Sequence, residues 1–164
     1  MNQSASLRLR PATRDDVPDI RRLIQALATY EKEPDSAVVT EDDLLRDGFS
    51  ALPRFKVVMA EWGGEVVGFA FYFYNYSTWQ GRPGLYLEDL FVQPSHRGKG
   101  IGKALLVHLA RIAVRENCGR FVWQVLDWNT PSIEFYESLG ATMMKEWLTM
   151  RVTGDALAKL AELE

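Results

Sequence analysis

The sequence contains a single cysteine, Cys118, and only two histidines. One cysteine excludes an intramolecular disulfide, and no spacing of histidine or carboxylate residues resembles a metal site, so we expect no bound metal. No apolar run approaches the roughly 20 residues that a membrane-spanning helix needs. The first six residues also lack the apolar stretch of a signal peptide. We therefore expect a cytoplasmic protein with no membrane partner.

The chain also lacks an excess of positive charge. Its formal net charge is −3, and its lysines and arginines are scattered, whereas nucleic-acid-binding proteins usually display a basic surface. We therefore expect no nucleic-acid partner. No repeat, low-complexity block or proline-rich linker divides the 164 residues, a length that suits one core. The sequence predicts a flexible N-terminus over residues 1–6 and a single domain over residues 7–164.

Apolar periodicity predicts a mixture of strands and helices. Strands are predicted over residues 7–10, 55–62, 65–74, 85–92, 121–126 and 146–152. One helix is predicted after Thr13, with an apolar stripe of Val17, Ile20, Ile24 and Leu27, and another follows the strand over 85–92, with a stripe of Ile101, Leu105, Leu109 and Ile112. Shorter helices are predicted from Thr40 to Gly48, from Pro131 to Gly140 and after Thr153. This order predicts an α/β fold with a mixed, partly parallel sheet.

Three alternating glycines, Gly98, Gly100 and Gly102, lie between a predicted strand and a predicted helix. Glycine is costly inside either element, but at such a junction it lets an anion approach the backbone. The helix start adds unpaired N–H groups and a positive dipole end, and Arg97 and Lys99 add charge. The cluster therefore predicts a phosphate or pyrophosphate site, and a glycine-rich turn with no ligand is the alternative.

Two common phosphate motifs do not fit this cluster. A dinucleotide-binding fingerprint that starts at Gly98 needs glycine where Lys103 stands. A P-loop needs serine or threonine where Ala104 stands.

The spacing of Arg97, Gly100 and Gly102 matches (Arg/Gln)-x-x-Gly-x-(Gly/Ala), the acetyl-CoA motif of GNAT N-acetyltransferases. From about Leu7 onward the sequence resembles that family, and the diamine (spermidine/spermine) and thialysine branch in particular. The segments that carry the resemblance are residues 10–13, 30–31, 85–92, 96–98, 127–129, 131–133, 135–136 and 139–141. The resemblance implies the GNAT fold, a mixed central sheet with splayed parallel strands and flanking helices.

The same resemblance implies acetyl-CoA as co-substrate. The backbone of Leu90, Phe91 and Val92 would pair with the pantetheine arm as an added strand. The pyrophosphate would be held by residues of the glycine cluster, namely Arg97, Gly98, Lys99, Gly100, Ile101, Gly102 and Lys103. Asn129 and Ser132 complete the implied cofactor set.

The residues that could move protons are two carboxylates and a tyrosine. Glu88 and Asp89 are adjacent in an otherwise apolar strand, which is unfavourable unless each has a task or a partner. The alternative is that both are solvated or ion-paired at an edge. The resemblance assigns Glu88 to proton removal from the amine, directly or through water, and Tyr136 to protonation of the CoA thiolate. For Tyr136 the alternative is a packing residue with a hydrogen-bonded tip.

The substrate side follows from the resemblance as well. The implied substrate-binding residues are Tyr30, Glu31, Trp79, Glu88, Asp89, Val122, Trp123 and Gln124. Ser77 and Thr78 stand where diamine-type members carry an acidic residue, as in the thialysine type. This difference favours a short aminoalkyl substrate over a long polycation.

We therefore predict acetyl transfer from acetyl-CoA to a primary amine of a small substrate, by direct attack in a ternary complex. A protein or peptide N-acetyltransferase and a non-catalytic acyl-CoA-binding module are the alternatives. A homodimer is also expected, partly from the family and partly because the apolar final strand, residues 147–150, could pair between subunits.

Overall fold

A computed structural model describes residues 6–163, which form two compact units that meet in sequence at Gln124 and Val125. Apart from Ser6, the segment that we expected to be flexible lies outside the described residues. The single domain over residues 7–164 stays a prediction.

The first unit contains the sheet, and the second contains short helices. The elements of the first unit are β1 (Leu7–Pro11), α1 (Val17–Tyr30), α2 (Glu41–Gly48), β2 (Lys56–Trp62), β3 (Glu65–Ser77), β4 (Arg82–Val92), α3 (Ile101–Arg115) and β5 (Arg120–Trp123). Those of the second unit are α4 (Thr130–Ser138) and α5 (Gly154–Ala161). The mixed α/β architecture predicted from the sequence is confirmed. None of the helices described here has both the length and the apolar character that crossing a membrane requires.

The strands are ordered β1-β2-β3-β4-β5, and only the β4–β5 pair is parallel. The β2–β3 hairpin turns at Gly63 and Gly64, which have φ angles of 62° and 90° that suit glycine. The β4–β5 ladder is short and ends at Leu87 opposite Trp123. From Glu88 onward, β4 therefore extends past its parallel neighbour.

One face of the sheet packs against α1 and α2. Its buried cluster joins Ile20 and Leu23 of α1 to Met59, Phe69 and Phe91 of the strands. Leu23 is fully buried, whereas Ile24, which we placed in the stripe, is only partly buried. Positions three and four residues after Ile20 both lie near the core face, so the apolar pattern alone did not separate them.

The predicted stripe of α3 is confirmed, because Ile101, Leu105, Leu109 and Ile112 are all buried. The helix follows Gly100, a left-handed residue with φ 77° that serves as its N-cap. The parallel crossover from β4 to β5 thus runs through the glycine cluster, which places that cluster at the end of β4.

Two strand predictions differ from the structure. The strand predicted over residues 121–126 ends at Trp123, and the strand predicted over residues 146–152 is not formed. Residues 147–153 have no regular secondary structure, and Leu148 and Met150 are largely exposed. A strand needs a hydrogen-bonding neighbour to be stable, so an apolar β-rich segment alone does not produce one. The last helix, α5, forms where it was predicted, after Thr153.

Candidate active site

A bulge in β4 is the first feature of the candidate site. Asp89 lies opposite Phe71 and Leu87 lies opposite Tyr72, so Glu88 is an extra residue with no partner of its own on β3. Phe71 and Tyr72 are consecutive and therefore point to opposite faces of the sheet. Phe71 packs against the core beneath α1, so the bulge places Asp89 on the α1 face rather than on the face of Leu87.

The bulge brings three acidic residues together. Glu88 is exposed, Asp89 is partly buried, and Glu31 is the residue that caps the C-terminal end of α1. Burial, together with the negative charges of Glu88 and Glu31, raises the pKa of Asp89 to about 7, and burial is the largest cause. Burial also raises the pKa of Glu31. A carboxyl that titrates near neutrality next to other acids is typical of proton-transfer or cation-binding sites.

The backbone beyond the bulge has a free side. The N–H of Gln93 donates to the C=O of Val67 at 2.8 Å, which makes that pair hydrogen-bonded. Hydrogen-bonded and non-hydrogen-bonded pairs alternate in an antiparallel ladder, so Val92 and Leu90 direct their N–H and C=O groups away from β3. The backbone of Phe91 points to β3, opposite Phe69, so the strand-like contact that we predicted for it does not fit this register.

The glycine loop leaves room in front of its backbone. Gly98 and Gly100 both have φ 77°, and an added Cβ atom at these two residues or at Gly102 would meet nothing within 4 Å. The first N–H groups of α3 follow directly, and such groups lack partners within their own helix. Left-handed glycines, open space and a helix start together form a place where an anion can contact the backbone.

The two cations of the loop rest on aromatic rings. The Nε of Arg97 donates to the C=O of Val92 at 3.0 Å, and its Cζ lies 4.5 Å from the ring centroid of Tyr30. The Nζ of Lys99 lies 5.1 Å from the ring of Trp62. Trp62 was not predicted as a site residue, and its only signal in the sequence is its place before the Gly63-Gly64 turn.

The other predicted residues of the first unit divide into two groups. Val122 and Trp123 lie on β5 opposite Tyr86 and Leu87, and Gln124 follows, so these three reach the end of the β4–β5 ladder beside the bulge. Trp79 is 89% exposed in the turn that joins β3 to β4. That turn lies at the start of β4, about 20 Å from Glu88 at ~3.3 Å per strand residue. The structure therefore does not bring Trp79 to the acidic residues.

The remaining predicted residues belong to the second unit and lie on or beside α4. Asn129 is the N-cap of α4, is buried, and accepts a hydrogen bond from the N–H of Ile133 through its backbone C=O at 3.1 Å. Ser132 and Tyr136 are four residues apart, so they share a face of that helix. The ring centroid of Tyr136 is 5.5 Å from that of Phe135.

Residues 6–163 contain no group of three or more His, Cys, Asp or Glu side chains placed to hold a metal ion.

The sequence model of the acetyltransferase (GNAT) family matches residues 18–141. Thialysine N-epsilon-acetyltransferase of Mus musculus is 39% identical to this chain, over 96% of the chain and 98% of that protein. The chain belongs to the GNAT acetyltransferase family. It is an acetyl-CoA-dependent N-acetyltransferase, and the family expected from the glycine motif is confirmed.

Other similarities agree with this assignment. L-ornithine N5-acetyltransferase of Arabidopsis thaliana is 32% identical over 95% of the chain and 88% of its own length. Among solved structures, an integron cassette protein from the mobile metagenome of V. cholerae superposes with a TM-score of 0.82 at 33% identity. That match covers 96% of this chain and 99% of the cassette protein. The GNAT fold prediction is therefore confirmed.

Proposed function

We propose that this GNAT acetyltransferase transfers the acetyl group of acetyl-CoA to a primary amine of a short aminoalkyl substrate, by direct attack in a ternary complex. The observation that carries the proposal is the acidic group of Glu31, Glu88 and Asp89 beside the free backbone edge of β4. The names of two relatives, which specify thialysine and L-ornithine, support a small amine substrate. We place this activity in the cytoplasm.

The acidic residues suit an ammonium group in the ground state. A lysine-like amine has a pKa of about 10.4 and is almost entirely protonated near pH 7. A cation bound between Glu31 and Asp89 would offset the mutual repulsion of the carboxylates and lower the pKa of Asp89. The acetylated product is a neutral amide, so the same carboxylates would hold it less strongly and favour its release.

The amine must then lose a proton before it can attack. Near pH 7 that step costs about 4–5 kcal/mol, at about 1.36 kcal/mol per pKa unit. We assign proton acceptance to Glu88 and Asp89 acting as a pair, with Glu88 exposed at the bulge and Asp89 partly buried beside it. A general base works best when its pKa lies near the working pH, and the pKa of about 7 at Asp89 meets that condition before the amine binds.

In the transfer step the amine nitrogen bonds to the thioester carbonyl carbon, and the C–S bond breaks. The leaving thiolate takes a proton, which we assign to the hydroxyl of Tyr136. The free N–H and C=O groups of Leu90 and the N–H of Val92 are our candidates for the pantetheine arm. The glycine loop is our candidate for the pyrophosphate, and Asn129 and Ser132 complete the proposed cofactor contacts.

The size of the acidic group favours a short substrate. Its three carboxylates lie at the bulge and the end of α1, while the turn at Trp79 is distant and is preceded by the uncharged Ser77 and Thr78.

The test is CoA thiol release from the purified chain with acetyl-CoA and a panel of short diamines, thialysine-like amino acids, long polyamines and peptides. We expect turnover with the short aminoalkyl compounds. Activity with peptides alone, or no thiol release with any amine, would overturn the proposal.

The matched variants are Tyr136→Phe and Tyr76→Phe. Loss of a general acid lowers rates by roughly 10²- to 10⁴-fold, so we expect kcat to fall in that range for Tyr136→Phe, with little change in acetyl-CoA affinity. Tyr76 is an exposed tyrosine of β3, and its substitution should leave kcat unchanged. An unchanged kcat in Tyr136→Phe would remove this residue from the mechanism.

A further inference from the structure

The side chain of Arg97 is the point where three parts of the first unit meet. Its Nε donates to the C=O of Val92, the last residue of β4, at 3.0 Å. Its Cζ lies 4.5 Å from the ring centroid of Tyr30, the last residue of α1, and 5.5 Å from that of Phe91. All three distances are within the range in which a guanidinium interacts favourably with its partner.

We propose that Tyr30 is a positioning residue for acetyl-CoA, because its ring holds the Arg97 guanidinium on the C=O of Val92 and thereby fixes the start of the glycine loop. The inference rests on the proposed binding of the cofactor at that loop. It assigns Tyr30 to the cofactor side, whereas the family resemblance implied a residue of the amine site.

The loop needs such a restraint. Gly98 and Gly100 flank Lys99, and glycine gains the most conformational freedom of any residue when it is not held. Arg97 directly precedes Gly98, so an Arg97 side chain held on Val92 fixes the start of the glycine loop relative to the end of β4. A loop that is ordered before the ligand arrives binds it more tightly, since less conformational entropy is lost on binding.

The position of Val92 adds a second reason. Its backbone points away from β3, to the side where we expect the pantetheine arm, and Arg97 already bonds its C=O. Val92 therefore retains its N–H for a ligand, while its carbonyl secures the loop. A single arginine thus links the expected sites of the pantetheine arm and the pyrophosphate.

The two assignments of Tyr30 predict different kinetics. Glu31 is the next residue, and its charge is felt at Asp89, so damage to the end of α1 could also disturb the amine site. If Tyr30 positions Arg97, substitution of Tyr30 changes the affinity for acetyl-CoA. If Tyr30 binds the amine, the same substitution changes the KM of the amine.

The experiment compares Tyr30→Leu, Tyr30→Phe and the control Tyr76→Leu, using calorimetric Kd values for CoA and separate KM values for acetyl-CoA and amine. A cation–π contact at an exposed site corresponds to about a 2- to 5-fold change in affinity, which is the rise in CoA Kd we expect for Tyr30→Leu. Tyr30→Phe keeps the ring and should stay within about 2-fold of wild type, with Tyr76→Leu at the wild-type value.

A double-mutant cycle with Arg97→Lys completes the test. Arg97→Lys removes the planar group that bonds Val92, so adding Tyr30→Leu to it should weaken CoA binding no further. Fully additive effects would overturn the proposal, as would a rise in amine KM with unchanged CoA Kd. If wild-type protein binds no CoA, the proposed cofactor site itself fails, and that outcome is distinct from a Tyr30 substitution without effect.

Discussion

The carboxyl of Asp89 lies where ionisation is disfavoured. Burial is the main cause, and the charges of Glu88 and Glu31 act in the same direction. A carboxyl whose pKa is higher in the folded than in the unfolded chain destabilises the fold at every pH at which the unfolded chain has that carboxyl ionised. The destabilisation begins as the pH rises past 3.8, the ordinary pKa of an aspartate carboxyl, and it is complete above about pH 7. Strained groups of this kind are common at sites where function is selected over stability.

Asp89→Asn should therefore stabilise the protein at high pH and not at low pH. At pH 8 we expect the thermal midpoint to rise by roughly 3 °C or more, since 1 kcal/mol corresponds to about 2–4 °C at this size. At pH 3 the carboxyl is largely neutral in both the folded and the unfolded chain, and the midpoint should match wild type. Differential scanning calorimetry at both pH values measures this, and kcat should fall in the same variant.

The control is Asp19→Asn, which alters an exposed carboxylate paired with Arg22 at 2.7 Å. Exposed pairs of this type contribute little, so the midpoint should change by less than about 2 °C at either pH. A lower midpoint for Asp89→Asn at pH 8 would contradict the destabilising role of the carboxyl.

Part of the arrangement of the acidic residues in β4 could be predicted from the sequence. Two adjacent carboxylates in an apolar strand pointed to this part of β4, and Glu88 was the residue that we selected as base. Strand alternation decides which of two neighbours is buried, and a bulge reverses that alternation. The extra residue at Glu88 depends on the pairing between β3 and β4, which local sequence does not encode.

At the scale of elements, the glycine loop is the connection at which we expect the cofactor to contact the backbone. Gly100 has φ 77° and begins α3, while Gly64 has a comparable φ of 90° in the β2–β3 turn. Both have open space around the missing Cβ atom. A substitution at either glycine would therefore cause similar backbone strain. The two positions differ only in whether we expect a ligand nearby.

Gly100→Ala and Gly64→Ala make a matched pair. Each should lose about 1–2 kcal/mol of unfolding free energy, because an L residue is strained in the left-handed region. Only Gly100→Ala should raise the KM for acetyl-CoA, by 10-fold or more if a ligand oxygen approaches this backbone (~1.4 kcal/mol). Urea denaturation and steady-state kinetics measure the two effects. Equal KM values for both variants would mean that the loop does not contact the cofactor.

The sequence predicted some elements better than others for a physical reason. The stripe of α3 was predicted correctly because its four apolar residues recur over about three turns and are buried against one surface. In α1 the pattern was ambiguous by one residue, and Leu23 rather than Ile24 is fully buried. The strand over residues 146–152 was wrong for the single chain, since strand formation depends on a neighbour rather than on β-propensity alone.

At the scale of the whole molecule, the C-terminal segment raises a question of assembly. Three of the four residues 147–150 are large apolar residues that are largely exposed, with Leu148 at 84%. Clustered exposed apolar residues commonly mark a protein–protein contact, whereas isolated ones are ordinary. The segment also has the composition of a strand but forms no strand in the structure. A second copy of the chain could contact these exposed apolar side chains in a symmetric interface.

We therefore expect a homodimer at micromolar concentration, measured by multi-angle light scattering. Leu148→Glu should convert it to a monomer, because a charge placed in an apolar contact loses its hydration without gaining a partner. Leu52→Glu alters an equally exposed leucine (87%) outside the segment and should remain dimeric. A monomeric wild-type protein would contradict the expectation. If the Leu148→Glu variant remains a dimer, the subunit contact does not involve this segment. The pair of variants thus separates a contact specific to residues 147–150 from a general effect of removing surface apolar area.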